Sequence, residues 1–257
     1  MKLRVVALAL TGALILGIGA LAFLTRARLT PVERGRRLAE ATGCFACHGA
    51  EGIRGMANPG RDEKQVPAFE GTLMMYAKNP EEVREWIRDG GTKTRREDPD
   101  WQAERKLGVV RMPAFGRRLS ASQIEDLVAY VVAVGGQNAP DDSLASRGKD
   151  RADELGCVGC HGPGGRLARA NPGSLKGYIP PWDGADFTEL VSSEAEFREW
   201  VEDGVGHRFR SNPVAQFFLR RAPLHMPAFK KHLAPGDVEA LWAYVTWLRT
   251  QPEDQPH

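Results

Sequence analysis

Two pentapeptides hold the residues best suited to chemistry: Cys44-Phe45-Ala46-Cys47-His48 and Cys157-Val158-Gly159-Cys160-His161. Two thiols separated by two residues can form thioethers to the two vinyl groups of one porphyrin, and the histidine that follows can reach the iron from below. C-x-x-C-H therefore reads as a covalent haem attachment sequence. The two copies use all four cysteines. A thioredoxin-like pair would need a βαβ setting, and a zinc site would join its C-x-x-C groups over about 15–20 residues; Cys47 and Cys157 are much further apart. A disulfide framework suits a short secreted chain rather than one of 257 residues. The expected cofactors are two covalently bound haem c groups, one on Cys44 and Cys47 with His48 at the iron, the other on Cys157 and Cys160 with His161.

The second pentapeptide belongs to a longer repeat. Advancing 113 positions carries Gly35 onto Gly148, Asn58-Pro59-Gly60 onto Asn171-Pro172-Gly173 and Pro67 onto Pro180. After a one-residue slip, 114 positions carry Glu85-Trp86 onto Glu199-Trp200, Met112-Pro113-Ala114-Phe115 onto Met226-Pro227-Ala228-Phe229 and Tyr130-Val131 onto Tyr244-Val245. A period this long reads as two tandem domains of ordinary size rather than a solenoid, with turn-rich residues 135–142 between them. Thr30-Pro31, a cap followed by proline at the first helical position, predicts a helix over 31–42. Ser120 opens a stripe of Ile124, Leu127, Val128, Val131 and Val132 at helical spacing, repeated as Val238, Leu241, Trp242, Val245 and Leu248.

In these marks the chain resembles the class I cytochrome c family in duplicate, as in dihaem cytochromes c, over nearly everything from Thr30 to Thr250. The resemblance implies an all-α fold of two tandem class I cytochrome c domains, over 30–137 and 147–250, with a linker at 138–146 and a disordered tail at 251–257. Elimination picks the sixth iron ligands. Of six methionines, Met1 is the start, and Met56, Met74 and Met75 have no methionine one repeat on; only Met112 and Met226 are equivalent. Each precedes Pro-Ala-Phe, which holds it in an extended loop, as in the family's axial methionine loop. A thioether opposite histidine raises the reduction potential. His225, beside Met226, is the one rival, and its counterpart is Arg111. The resemblance further implies that a proline carbonyl accepts from the proximal imidazole, for which Pro59 and Pro172 are the candidates. It also implies that Trp86 and Trp200 either pack on the haem and donate to a propionate or are plain core residues. Gly35 against Tyr130, and Gly148 against Tyr244, fit the family's close crossing of first and last helices.

Residues 5–24 carry no charge and only Thr11 as a polar side chain, enough to span about 30 Å of hydrocarbon as a helix. The segment reads as a signal anchor, or transmembrane helix, within 1–29; a cleavable signal peptide ending at Ala20-Leu21-Ala22 is the alternative, and the length of the run favours the anchor. The arginines beyond it run against the positive-inside rule, but covalent haem attachment places the haem domains on the periplasmic side. The formal charge of +2 gives no broad basic field for nucleic acid. Locally, the stretch from 204 to 226 holds Arg208, Arg210, Arg220 and Arg221 and no acid, which suits either an acidic partner or a solvated loop. The expected activity is single-electron transfer between membrane redox complexes, for example a quinol-oxidising complex and a terminal oxidase, rather than catalysis. A dihaem peroxidase or sulfur-compound dehydrogenase with a displaceable methionine is the alternative.

Overall fold

A computed structural model of the chain describes residues 11–20, 22, 26, 28–136 and 140–250. Residues 11–20 are helical, with Leu14, Ile15, Leu16 and Ile18 all exposed. Much of the expected anchor, part of 135–142, and the tail at 251–257 lie outside the described residues. Among those described, no helix is long and apolar enough to cross a membrane.

The chain divides into two compact units. The larger comprises Leu29–Ala168, Pro180–Phe187 and Ala234–His257. The helices that build its core and site are α1 Pro31–Ala41, α2 Cys44–His48, α3 Pro80–Asp89, α4 Pro99–Leu107, α5 Ala121–Gly135, α6 Ser143–Glu154, α7 Cys157–His161 and, last among the described residues, Asp237–Arg249, besides shorter helical turns such as Leu73–Tyr76 and Lys93–Glu97. Sequence explains where they start. Thr30 accepts the Glu33 N–H at 3.2 Å ahead of Pro31, and Ser120 forms a reciprocal capping box with Gln123, both satisfying orphan donors of the first turn. Asp142 caps α6 through the N–H groups of Leu144 and Ala145.

Packing follows the apolar stripes. Ile124, Leu127, Val128, Val131 and Val132 of α5 are buried in a core with Val32, Ala39, Val83 and Ile87 from α1 and α3. Helices α1 and α5 cross so closely that a Cβ on Gly35 would run into the Asp126 carbonyl and lie 2.8 Å from the Tyr130 Cβ. On α6, a Cβ on Gly148 would meet the Ala240 carbonyl and lie 2.9 Å from the Tyr244 Cβ. The two crossings expected from the repeat are both formed, and each brings a buried tyrosine under a pentapeptide: the Tyr130 hydroxyl donates to the Glu51 carbonyl at 3.0 Å and that of Tyr244 to the Gly164 carbonyl at 2.9 Å.

The smaller unit comprises Met1–Arg28, Arg169–Ile179 and Thr188–Leu233. Strands β1 Arg169–Ala170 and β2 Tyr178–Ile179 pair antiparallel, Arg169 opposite Ile179. Helices α8 Glu194–Asp203 and α9 Pro213–Arg221 follow; the closing helix Asp237–Arg249 of the larger unit is α10.

Candidate haem-binding site

The α2 turn places Cys44, Cys47 and His48 at i, i+3 and i+4, hence on one face. All four thiols are unpaired. Burial pushes Cys157 up to about 11 and moves Cys44 in the same direction, so neither behaves as the low-pKa thiolate of a dithiol redox centre. Among the described residues no three His, Cys, Asp or Glu side chains gather as a metal-binding group, which leaves the zinc reading without a site there.

His48 Nδ1 stands 2.8 Å from the Pro67 carbonyl, and His161 Nδ1 stands 3.3 Å from that of Pro180. A carbonyl only accepts, so Nδ1 carries the proton and Nε2 is left with the lone pair a metal needs. Burial pushes the His161 imidazole down to about 4, and that of His48 below its ordinary value, in spite of these hydrogen bonds; both rings are neutral near pH 7. The expectation for Pro59 and Pro172 is thereby corrected. The acceptors are Pro67 and Pro180, because the chain after each is tied back beside its pentapeptide: the Phe69 N–H donates to the Gly52 carbonyl at 2.6 Å, and the Trp182 N–H to that of Gly165 at 2.8 Å. Phe69 then lies against His48, ring centres 4.7 Å apart, and edge-on to Tyr130; Trp182 lies against His161 at 5.0 Å and edge-on to Tyr244. The tyrosines of the closing helices thus set both imidazole planes through one intervening ring.

The Asn-Pro-Gly turn has a different task. Asn58 is 5% exposed and brackets the backbone of Val110, donating to its carbonyl at 3.0 Å and accepting its N–H at 2.9 Å, while the Pro59 carbonyl accepts the Val109 N–H. Asn171 brackets Leu224 in the same way, at 2.9 and 3.1 Å. These bonds pin the start of each methionine loop. Its end is pinned by the Phe115 N–H on the Ile87 carbonyl and the Phe229 N–H on the Val201 carbonyl. In between, the Met112 carbonyl passes so near Gly90 that a Cβ there would lie 2.7 Å away, and Met226 passes Gly204 closer still. The loop enclosing each methionine is therefore fixed at both ends and in the middle.

In the first half these parts converge. One cavity of about 250 Å³ is lined by Cys44, Cys47, His48, Met112 and Trp86 together with an apolar wall that includes Phe69, Leu73 and Leu127. Pro67 lines it; Pro59 does not. The Trp86 indole faces this cavity, but its N–H donates to the Tyr76 carbonyl at 3.0 Å, as that of Trp200 does to Leu190 at 3.1 Å. Neither indole N–H is left for a propionate, so of the two expected roles only packing remains for Trp86 and Trp200. The unspent donor is Trp101: 6% exposed, edge-on to Trp86 and lining the same cavity, its Nε1 has no partner in the structure. Nothing in the sequence marked it, since its place in the second half is taken by Ala215. Two thiols, an imidazole lone pair, a thioether, apolar walls and an orphan donor lining one cavity fit a covalently held haem.

In the second half, His161 and its Pro180 and Trp182 supports belong to the larger unit, Met226, Asn171 and Trp200 to the smaller. His225 is engaged through Nε2 with the Leu219 carbonyl at 2.6 Å. The basic stretch is partly neutralised by acids outside it: Arg208 pairs with Glu196 and Arg210 with Asp203, each at 2.7 Å.

A helical shell around a thiol-, imidazole- and thioether-lined cavity defines a haem-binding electron-transfer domain. The cytochrome c family model matches residues 32–135, less than half of the chain. No curated protein matches the chain.

Proposed function

We propose that the chain is a dihaem c-type cytochrome, held to the cytoplasmic membrane by its N-terminal segment, that passes single electrons between redox complexes on the periplasmic side. Met112 and Met226 are the sixth ligands opposite His48 and His161. The cavity uniting Cys44, Cys47, His48 and Met112 carries the reading; recurrence of the histidine, tyrosine, asparagine and methionine-loop contacts about a repeat later extends it to a second haem. Bound haem supplies the one-electron redox chemistry. The chain's residues do the rest. Pro67 and Pro180 fix the imidazole tautomers, Phe69 and Trp182 hold the ring planes, the pinned loops present the thioethers, and the apolar walls exclude water. An exposed apolar face on residues 11–20 supports bilayer contact, since such a face is costly in water.

Mass spectrometry of the denatured full-length chain tests the haem count. Two porphyrin-iron units should stay attached, and replacing Cys157 and Cys160 by Ala should remove one; a single unit on the unaltered chain overturns the dihaem reading. Haem-stained protein should sediment with membranes, and a soluble form lacking the first twenty or so residues overturns the anchor.

A further inference from the structure

The helix before each methionine loop carries a different outer side in the two halves. On α4, Asp100, Ala103, Glu104 and Leu107 share one side; a repeat later, α9 has Val214, Phe217, Phe218 and Arg221 in those places. Val214 is 64% exposed and Phe217 49%. The Phe218 ring stands edge-on to Phe217 at 5.2 Å, and the Arg221 guanidinium lies over Phe217 at the same distance. A haem in the second half would leave this side bare. Ala215 and Leu219, which match the cavity-lining Trp101 and Arg105, fall on another side of α9, and Asp100, Ala103 and Glu104 line no part of the first cavity.

The same unit holds the end of the N-terminal segment. Lys176 donates to the Arg26 carbonyl at 3.4 Å and pairs with Glu189 at 3.1 Å, and Glu189 pairs in turn with Arg28 at 2.9 Å. The apolar run closes at Leu24, two residues before Arg26 and so at most about 7 Å from it. Three residues before Lys176, Gly173 lies so near the end of α9 that a Cβ on it would stand 2.4 Å from the Arg221 carbonyl. One short turn therefore joins the exit of the apolar segment to the arginine end of α9, and a surface entered by that segment passes beside this helix. Arg208 and Arg210 pair with Glu196 and Asp203, whereas among the described residues no carboxylate pairs with Arg220 or Arg221. Apolar and aromatic side chains flanked by arginines suit the boundary between acyl chains and phosphate headgroups, where rings settle and each cation gains from a negative surface. An acidic protein would also answer the arginines, but the tether brings a lipid surface to this spot without a search. We infer that α9 rests on an anionic bilayer surface, with Val214 and Phe217 entering the acyl boundary and Arg220 and Arg221 meeting lipid phosphates. This rests on the anchor reading, and the experiment separates the two.

The full-length, haem-loaded chain, its iron kept reduced, is reconstituted in vesicles of phosphatidylcholine and phosphatidylglycerol with a single nitroxide on Val214→Cys, Asp100→Cys or Leu16→Cys, one label per chain being checked by mass. Electron paramagnetic resonance reads collisions with oxygen, which concentrates in lipid, and with a nickel chelate, which stays in water. The Leu16 label reports the anchor. The Val214 label should meet oxygen more than nickel, and the Asp100 label the reverse. Adding Arg220→Gln to Val214→Cys should lower the ratio of lipid-embedded to water-exposed label about fivefold, the worth of one arginine near a negative surface; an unchanged ratio overturns the phosphate contact. A Leu16 label in lipid with a Val214 label in water overturns the proposal and leaves the anchor standing. A Val214 label shielded from both reagents overturns it in favour of a protein partner, and an Asp100 label embedded as deeply overturns it as non-specific adsorption. A Leu16 label in water overturns both readings.

Discussion

Replacing Asn58 by Ala isolates what holds the first methionine loop. The side chain is almost fully buried, and its two hydrogen bonds to Val110, at 3.0 and 2.9 Å, join segments far apart in the chain. Losing each bond costs about 1 kcal/mol net, and up to about 3 where the abandoned backbone group stays dry. Val110 is only partly buried, so water reaches some of what Asn58 leaves, and the total should fall at about 2–4 kcal/mol. Denaturant unfolding monitored by circular dichroism reads that loss. The loop begins two residues before Met112, so its release should also weaken the thioether at one iron. In oxidised protein, the far-red charge-transfer band that thioether ligation gives in this family should fall by up to half. Asn171→Ala, which removes bonds of 2.9 and 3.1 Å to Leu224, should act on the other half of the band, and the double variant should remove nearly all of it. A loss of stability below about 0.5 kcal/mol, the size of an ordinary surface substitution, together with an undiminished band would refute the assignment of Asn58 as the pin of the loop.

Met112→His and Met226→His should each remove about half of the same band and lower one reduction potential, since loss of the thioether stabilises oxidised iron; an unchanged spectrum in Met226→His would hand that iron to His225. Gly148→Ala should destabilise the fold by about 3 kcal/mol, because α6 and α10 must move apart to admit the methyl group, and thermal unfolding measures it. Asp237, 1% exposed, is bound by Arg147 and Arg151. Burial opposes its ionisation, but the Ala234 N–H and the two guanidiniums outweigh it and hold the carboxyl below its usual range. Its contribution is therefore complete above the ordinary Asp value of about 4, and it is lost as pH falls through the lower folded value. Asp237→Asn should flatten that acid limb in a stability profile against pH; an unchanged limb would remove Asp237 from the account.

What the sequence disclosed and what it hid divide along a physical line. The pentapeptides were legible because covalent geometry fixes their spacing, and α1, α5 and α10 because burial of one face imposes a helical period whatever surrounds it. The repeat singled out Met112 and Met226 because it keeps equivalent residues in register, and Met112 lines the cavity with His48. The imidazole's acceptor did not. Pro59 and Pro67 both recur one repeat on, and only the path of the intervening chain, set by the bonds of Phe69 to Gly52 and of Asn58 to Val110, decides which carbonyl meets Nδ1.

The comparison of halves that found the methionines also concealed Trp101, since a filter for what recurs discards what does not. Yet the differences are where the halves acquire separate properties. The histidines, their proline carbonyl acceptors and the pinned loops recur in both halves, while the supporting ring changes from Phe69 to Trp182. Arg105 and Arg111 line the first haem cavity, and burial, then the charges of Arg111 and Arg61, already press the Arg105 guanidinium below its ordinary pKa. Positive charge beside an iron favours its reduced state, and Leu219 stands where Arg105 would be in the second half. If the proposed second haem is present with the same ligands, the first should titrate at the higher potential in a spectroelectrochemical redox titration, and two equal potentials would refute this account of Arg105.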